Sequence, residues 1–177
     1  MPLLRPPDAA SGEDEAEWLV RAREAEGLGP IGLHTHWTSP THARPSDGDP
    51  AAHVRREIEW LRARGLEPRF FCGGGWYTDP EVAGVVAAEG LLDCTATTFV
   101  PPVPEPYRRV RGPEPGLLPA THSLGMLVRG VLGPLPRFVH AYFHDTDLRH
   151  AQRRIALAGA LTVLGRRRRP FDLDVQS

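Results

Sequence analysis

The sequence predicts an α/β fold in which parallel strands alternate with helices, and three observations carry that prediction. Short apolar runs rich in β-formers alternate with stretches of helical period. The two central helices open on the same device, Asp49-Pro50 and Asp79-Pro80, an N-cap followed by proline in the first turn. Polar residues collect where the strand-like runs end. Strand, helix, strand, helix, strand is the order that crossover connections join into one parallel sheet.

The elements follow in order. Residues 1–10 are Pro-rich and read as irregular, and Ser11 with Asp14 forms a capping box for a short helix that ends near Gly27. Residues 1–30 therefore read as an irregular or short helical N-terminal segment, and 31–177 as the α/β domain. Ile31-Gly32-Leu33-His34-Thr35-His36-Trp37 is a buried strand running into a loop, and the polar loop 38–48 is long enough to cover a site. Val54, Ile58 and Leu61 recur at helical spacing before Gly65; Val82, Val85 and Val86 do so before Gly90. Phe70-Phe71-Cys72 and Leu91 to Thr97 are the strands between and after these helices. Residues 100–116 hold six prolines and read as a lid or rim loop. Leu117 to His122 is a short edge strand because Pro119 limits its pairing, and Ser123 to Leu132 is a loose turn or short helix. Arg137 to His144 is the clearest strand. A last helix from Asp145 or Thr146 to Gly165 carries Leu148, Ala151, Ile155, Ala158, Leu161 and Leu164 on one side.

Composition narrows the function. A length of 177 residues with 41% hydrophobic and 24% charged residues suits one soluble domain, and a formal net charge of −1 argues against a nucleic-acid or membrane-surface partner. No apolar run reaches membrane-spanning length and the N-terminus lacks a signal peptide's hydrophobic core, so the expected location is cytoplasmic. Cys72 and Cys94 fall in apolar strands and are expected to be reduced and buried. All 21 basic side chains are arginine. Without lysine, Schiff-base chemistry and a phosphate-loop lysine are excluded.

The chemistry concentrates at the strand ends. Side chains alternate along a strand, so His34 and His36 project from one face: half of a metal site, or two imidazoles capping loop carbonyls. Parallel βα folds bind ligands at the carboxyl ends of their strands. Those ends carry His34 and His36, then Gly73-Gly74-Gly75-Trp76-Tyr77, then Thr95 to Thr98, then Thr121 and His122, then His144 with Asp145. The glycines would let backbone approach a ligand, and Trp76 with Tyr77 would stack on a sugar ring. His140 and His144 share a face, one toward the rim and one deeper in the core.

Taken together, Ile-Gly-Leu-His-Thr-His at 31–36, Pro68 to Tyr77 with the following helix and Gly90-Leu-Leu-Asp-Cys-Thr, and His140-Ala-Tyr-Phe-His-Asp-Thr-Asp-Leu resemble the polysaccharide deacetylases of the NodB-homology type. The resemblance runs from about Ile31 to Asp174. It implies an incomplete or distorted (β/α) barrel and hydrolysis of an acetyl group on an N-acetylated sugar or polysaccharide. It also implies a divalent metal, with zinc expected, that activates water, and a late histidine that protonates the leaving amine. His34 and His36 would be metal ligands. His144 with Asp145 would be catalytic, and Arg69, Gly74, Gly75, Trp76, Tyr77 and His122 would bind substrate.

There are departures. The family's usual His-x-x-x-His spacing would put its second histidine at Thr38, and Cys72 holds the place of the family's arginine. The family's aspartate-bearing first strand has no counterpart, so the chain is expected to be the larger, carboxyl-terminal part of such a domain and weakly active or inactive. Loss of the base alone would slow water activation by roughly 10²–10⁴. Two alternatives stand. PHP-type metallophosphoesterases open on an Asp-x-His-x-His strand, similar to His34-Thr-His36 here with Gly32 in the aspartate's place. A non-catalytic carbohydrate-binding remnant would use Trp76, Tyr77 and the rim without metal.

Overall fold

A computed structural model of the chain describes residues 1–8 and 12–170. It has a parallel sheet of four strands in the order β1 (Leu3–Leu4), β2 (Gly32–Thr35), β3 (Phe70–Gly73), β4 (Leu92–Asp93). Isolated parallel bridges, Asp93 with Leu117 and Thr97 with Ala120, carry the ladder onward. That leads to a second parallel pair, β5 (His122–Ser123) with β6 (Ala141–Tyr142). Neighbouring strands thus follow chain order, as the alternation of apolar runs and helices predicts.

Alternation along the strands makes two cores. On one face Ile31, Leu33 and Phe71 meet the apolar stripes of α1 (Glu15–Leu28), α2 (Pro50–Arg62) and α3 (Pro80–Ala88) through Ala22, Val54, Ile58, Leu61, Val82 and Val86. On the other, Phe70, Cys94 and Leu118 pack with Leu3, Leu92 and Phe138. Register pairs His34 with Cys72, which belongs to this second face. Both cysteines are free thiols, and burial pushes them up, Cys72 to about 12.

The caps explain the helix starts. Asp49 and Asp79 each accept a backbone N–H three residues on, at 2.8 Å, and Asp14 does the same for α1. The first helix therefore begins at Asp14's cap; Ser11 lies outside the described residues. Leu3–Leu4, expected to be irregular, form an edge strand on β2, with Gly32 N–H bonded to the Pro2 carbonyl at 2.9 Å.

The carboxyl-terminal third departs further. The expected long strand over 137–144 is two residues, because His140 hydrogen-bonds through its backbone to the Thr121 hydroxyl instead of continuing a ladder. Residues 124–130 are helical (α4, Leu124–Gly130, capped by Ser123). The single last helix is two, α5 (Asp145–Arg149) and α6 (Ala151–Arg167), broken where His150 takes φ −92° and ψ 117°. That break changes the buried side. Ala160, Val163 and Leu164 face α4 through Leu127 and Val131, and Leu157 is buried, while Ile155 is 73% and Leu161 46% exposed.

Two glycines should respond oppositely to alanine. A Cβ at Gly74 would lie 2.5 Å from the Thr35 carbonyl oxygen and 2.8 Å from Ala43 Cβ, whereas one at Gly84 in α3 meets nothing within 4 Å. Gly74→Ala should lose about 1–3 kcal/mol by overpacking against backbone. Gly84→Ala should gain about 0.5–1 kcal/mol from helix propensity. Urea midpoints of the two variants and the parent check both signs.

Candidate functional site

The carboxyl ends of β2 and β3 form the site. His34 Nδ1 lies 2.9 Å from the Cys72 carbonyl oxygen, the residue it pairs with across the ladder. His36, just beyond β2, has Nδ1 3.0 Å from the Pro40 carbonyl oxygen. A carbonyl only accepts, so in each ring Nδ1 carries a proton, and in the neutral form Nε2 presents a lone pair. The rings meet edge to face with centroids 4.8 Å apart. Thr35, between them, points to the helix side and donates to Glu57 at 2.6 Å, which in turn pairs with His53 at 3.3 Å.

Burial dominates the electrostatics of His34. It lowers the imidazole from 6.5 to about 4, and the positive charges that His36, His144 and Arg5 would add act in the same direction. His34 is therefore neutral at physiological pH, the form that ligates a metal. The two imidazoles fit a divalent ion as two of its three or four donors, each with its Nδ1 already fixed by a carbonyl. They do not complete a site: among the described residues no cluster of three His, Cys, Asp or Glu side chains is arranged to hold an ion.

The glycine run serves the scaffold. A Cβ at Gly75 would meet the Arg44 side chain at 2.5 Å, and the Arg44 guanidinium donates to the Gly75 carbonyl at 2.6 Å and to Pro106 at 3.2 Å. Gly74 and Gly75 thus let the loop after His36 close on β3, rather than cradling a ligand. Gly75 and Trp76 both take left-handed backbone, φ 58° and 59°. That conformation is strained for tryptophan.

The turn sends Trp76 and Tyr77 opposite ways. Tyr77 packs on Trp37 (5.1 Å) in the helix-side core, and its hydroxyl donates to Asp79 at 2.7 Å; burial and that carboxylate push it up to about 12. It does not join the rim. Trp76 does, edge-on to Tyr142 of β6 at 4.9 Å and to Phe99 at 6.2 Å, with the planes of Phe99 and Tyr142 within 8° of parallel. Phe99 and Tyr142 were not among the expected site residues. For Tyr142 the signal was present, since it lies two residues before His144 and so shares its face.

His144 is exposed, 6.1 Å from the Tyr142 ring. Its partner is not Asp145, whose carboxylate reaches Arg149 at 3.4 Å on open surface. Asp147 instead accepts the His144 backbone N–H at 3.0 Å; that bond and Arg153 hold its carboxyl below the usual range. His140 is the deeper histidine, 3.1 Å from the Leu118 carbonyl oxygen. His122 lies 2.8 Å from the Thr121 hydroxyl. Thr95 turns inward, accepting the Gly73 N–H at 2.8 Å and bonding Asp93. Arg69 precedes β3 and lies at the opposite end of the sheet, lining a separate cavity with Asp93 and Arg108.

A histidine lowered from 6.5 to about 4 in the folded state binds fewer protons there than in the unfolded chain across that window. Its contribution is complete above pH 6.5 and is lost as pH falls toward 4, on the order of 3 kcal/mol. His34→Asn keeps a donor for the Cys72 carbonyl and cannot titrate. Denaturant unfolding at stepped pH should give a shallower acid decline for the variant than for the parent; identical declines would remove His34 from the account.

Comparison with protein-family models finds no match, and comparison with curated proteins and with solved structures likewise finds none.

Proposed function

We propose that this rim is the carbohydrate-facing side of a metal-dependent hydrolase that removes acetyl groups from an N-acetylated sugar or polysaccharide, on strands that trace part of a (β/α) barrel. The observation that carries the reading is the histidine pair, two imidazoles 4.8 Å apart with both Nδ1 atoms committed to carbonyls. An imidazole that merely capped a loop would gain nothing from a second one beside it, since the charge His36 would carry disfavours a charge on His34. Coordination gives the arrangement a purpose.

His34 and His36 would hold the ion, with zinc the natural choice for neutral imidazole donors. Such an ion would supply an activated water and polarise the scissile carbonyl. The chain's own groups do the rest. Trp76, Phe99 and Tyr142 offer aromatic faces and edges on which a pyranose ring can rest. His144, exposed at the same rim and fixed through its backbone by Asp147, would deliver a proton to the departing amine. The carboxylate that would act as base is not among the described groups at this rim, so turnover by this polypeptide is expected to be slow.

The aromatic trio does not depend on a metal and favours a second reading, saccharide binding without catalysis. Three measurements separate them. Purified protein should bind zinc, with His34→Ala and His36→Ala each weakening it at least tenfold, and should release acetate slowly from chitooligosaccharides. Trp76→Ala should weaken oligosaccharide binding by about 1–2 kcal/mol, the worth of one aromatic contact with area to match. Zinc-free protein that keeps saccharide affinity would replace the hydrolase with the binding module. Loss of neither zinc nor sugar binding in these variants would end both readings.

A further inference from the structure

The crossover from β4 to β5 has no helix. Residues 98–121 run instead as an irregular segment, pairing Thr97 with Arg109 and returning through Pro115 and Gly116. In a βα fold a helix at this point covers the outer face of the sheet beside α3. Here that face opens on a cavity of about 470 Å³ at the amino-terminal edge of β3 and β4, away from the histidine rim. The volume lies within the range of small-molecule sites.

Its lining is chemically divided. Val86, Leu91 and Leu117, all buried, supply an apolar wall, and Arg69 and Arg108 supply two guanidiniums. Asp93 is the one acidic side chain in the wall, and its Oδ1 accepts the Thr95 N–H at 2.8 Å. Burial raises Asp93 above the usual carboxylate range, while the Thr95 hydrogen bonds and the Arg108 charge act the other way. Arg108 already attracts a carboxylate, Glu114 at 3.7 Å, in a loose pair about half exposed on both sides. Such a pair is worth little and yields to a better-placed anion.

We propose that this cavity binds a small apolar monocarboxylate, its carboxylate on Arg69 and Arg108 and its hydrocarbon against Val86, Leu91 and Leu117. Guanidinium forks match carboxylates geometrically, and the wall accommodates a short alkyl chain that water would not. Glu114 competes with it for Arg108.

Hexanoate and 1-hexanol are the probes, equal in chain length and different in charge. A ligand of so few atoms should bind with a Kd of about 1 mM or somewhat below. Hexanoate should bind at least tenfold more tightly than hexanol, with amide chemical shifts moving at Val86, Leu91 and Leu117 and not at His34 or His36. Glu114→Gln should tighten hexanoate, and Arg69→Ala with Arg108→Ala should weaken it at least tenfold. Arg108→Gln alone, on an exposed side chain, serves if the double variant fails to fold. Equal binding of acid and alcohol, unchanged affinity in the arginine variants, or no hexanoate binding to Glu114→Gln at about 10 mM, ten times that expected Kd, would overturn the site.

Discussion

The rim exists because three stretches of backbone come closer than side chains would permit. Gly74 lies under the Thr35 carbonyl and Ala43, Gly75 lies under Arg44, and Arg44 ties both to Pro106. Once that contact forms, β3 must turn left-handed at Gly75 and Trp76, and the indole has one place to go, onto Tyr142 and Phe99. The same contact brings the loop after β2 back on itself, which puts the Pro40 carbonyl within reach of His36. Imidazole orientation and aromatic placement are thus two results of one close approach.

The price is strain at Trp76 and desolvation at His34. A left-handed non-glycine residue costs on the order of 1–3 kcal/mol and persists only where its surroundings over-determine it. Both liabilities fall at the strand ends, while the helix-facing core of Ile31, Leu33 and Phe71 follows ordinary rules of alternation and apolar stripes. A protein that concentrates unfavourable local choices in one place, with the desolvated His34 among them, is organised around that place.

How much of this was legible depended on whether the determining interaction was local. The Asp-Pro caps of α2 and α3, the strands at 32–35 and 70–73, and the shared face of His34 and His36 rest on neighbours in sequence, and all are found where the pattern puts them. Trp76 and Tyr77 were indistinguishable on paper because their directions are fixed by a positive φ that nothing local demands of tryptophan. Asp145 looked the natural companion of His144, yet the turn into α5 sends it to Arg149 and brings Asp147 back. The last helix misled for a similar reason. Its pattern was amphipathic throughout, but the extended backbone at His150 resets the phase, and burial follows the contact with α4.

The segment from Thr97 to Ala120 explains why two unlike sites coexist on one small sheet. A helical crossover would have covered Asp93 and the bridge it makes with Leu117. Its prolines forbid that helix. The irregular path gives Phe99 to the rim at one end of the sheet, takes a bond from Arg44 at Pro106, and leaves Arg108 beside Arg69 at the other end. Its anchors on β4 are backbone bonds, Asp93 N–H to the Gly116 carbonyl and Leu118 N–H to the Asp93 carbonyl at 2.9 Å each. Changes in those residues should therefore disturb both ends together, whereas changes in Arg44 or Arg69 act on one alone.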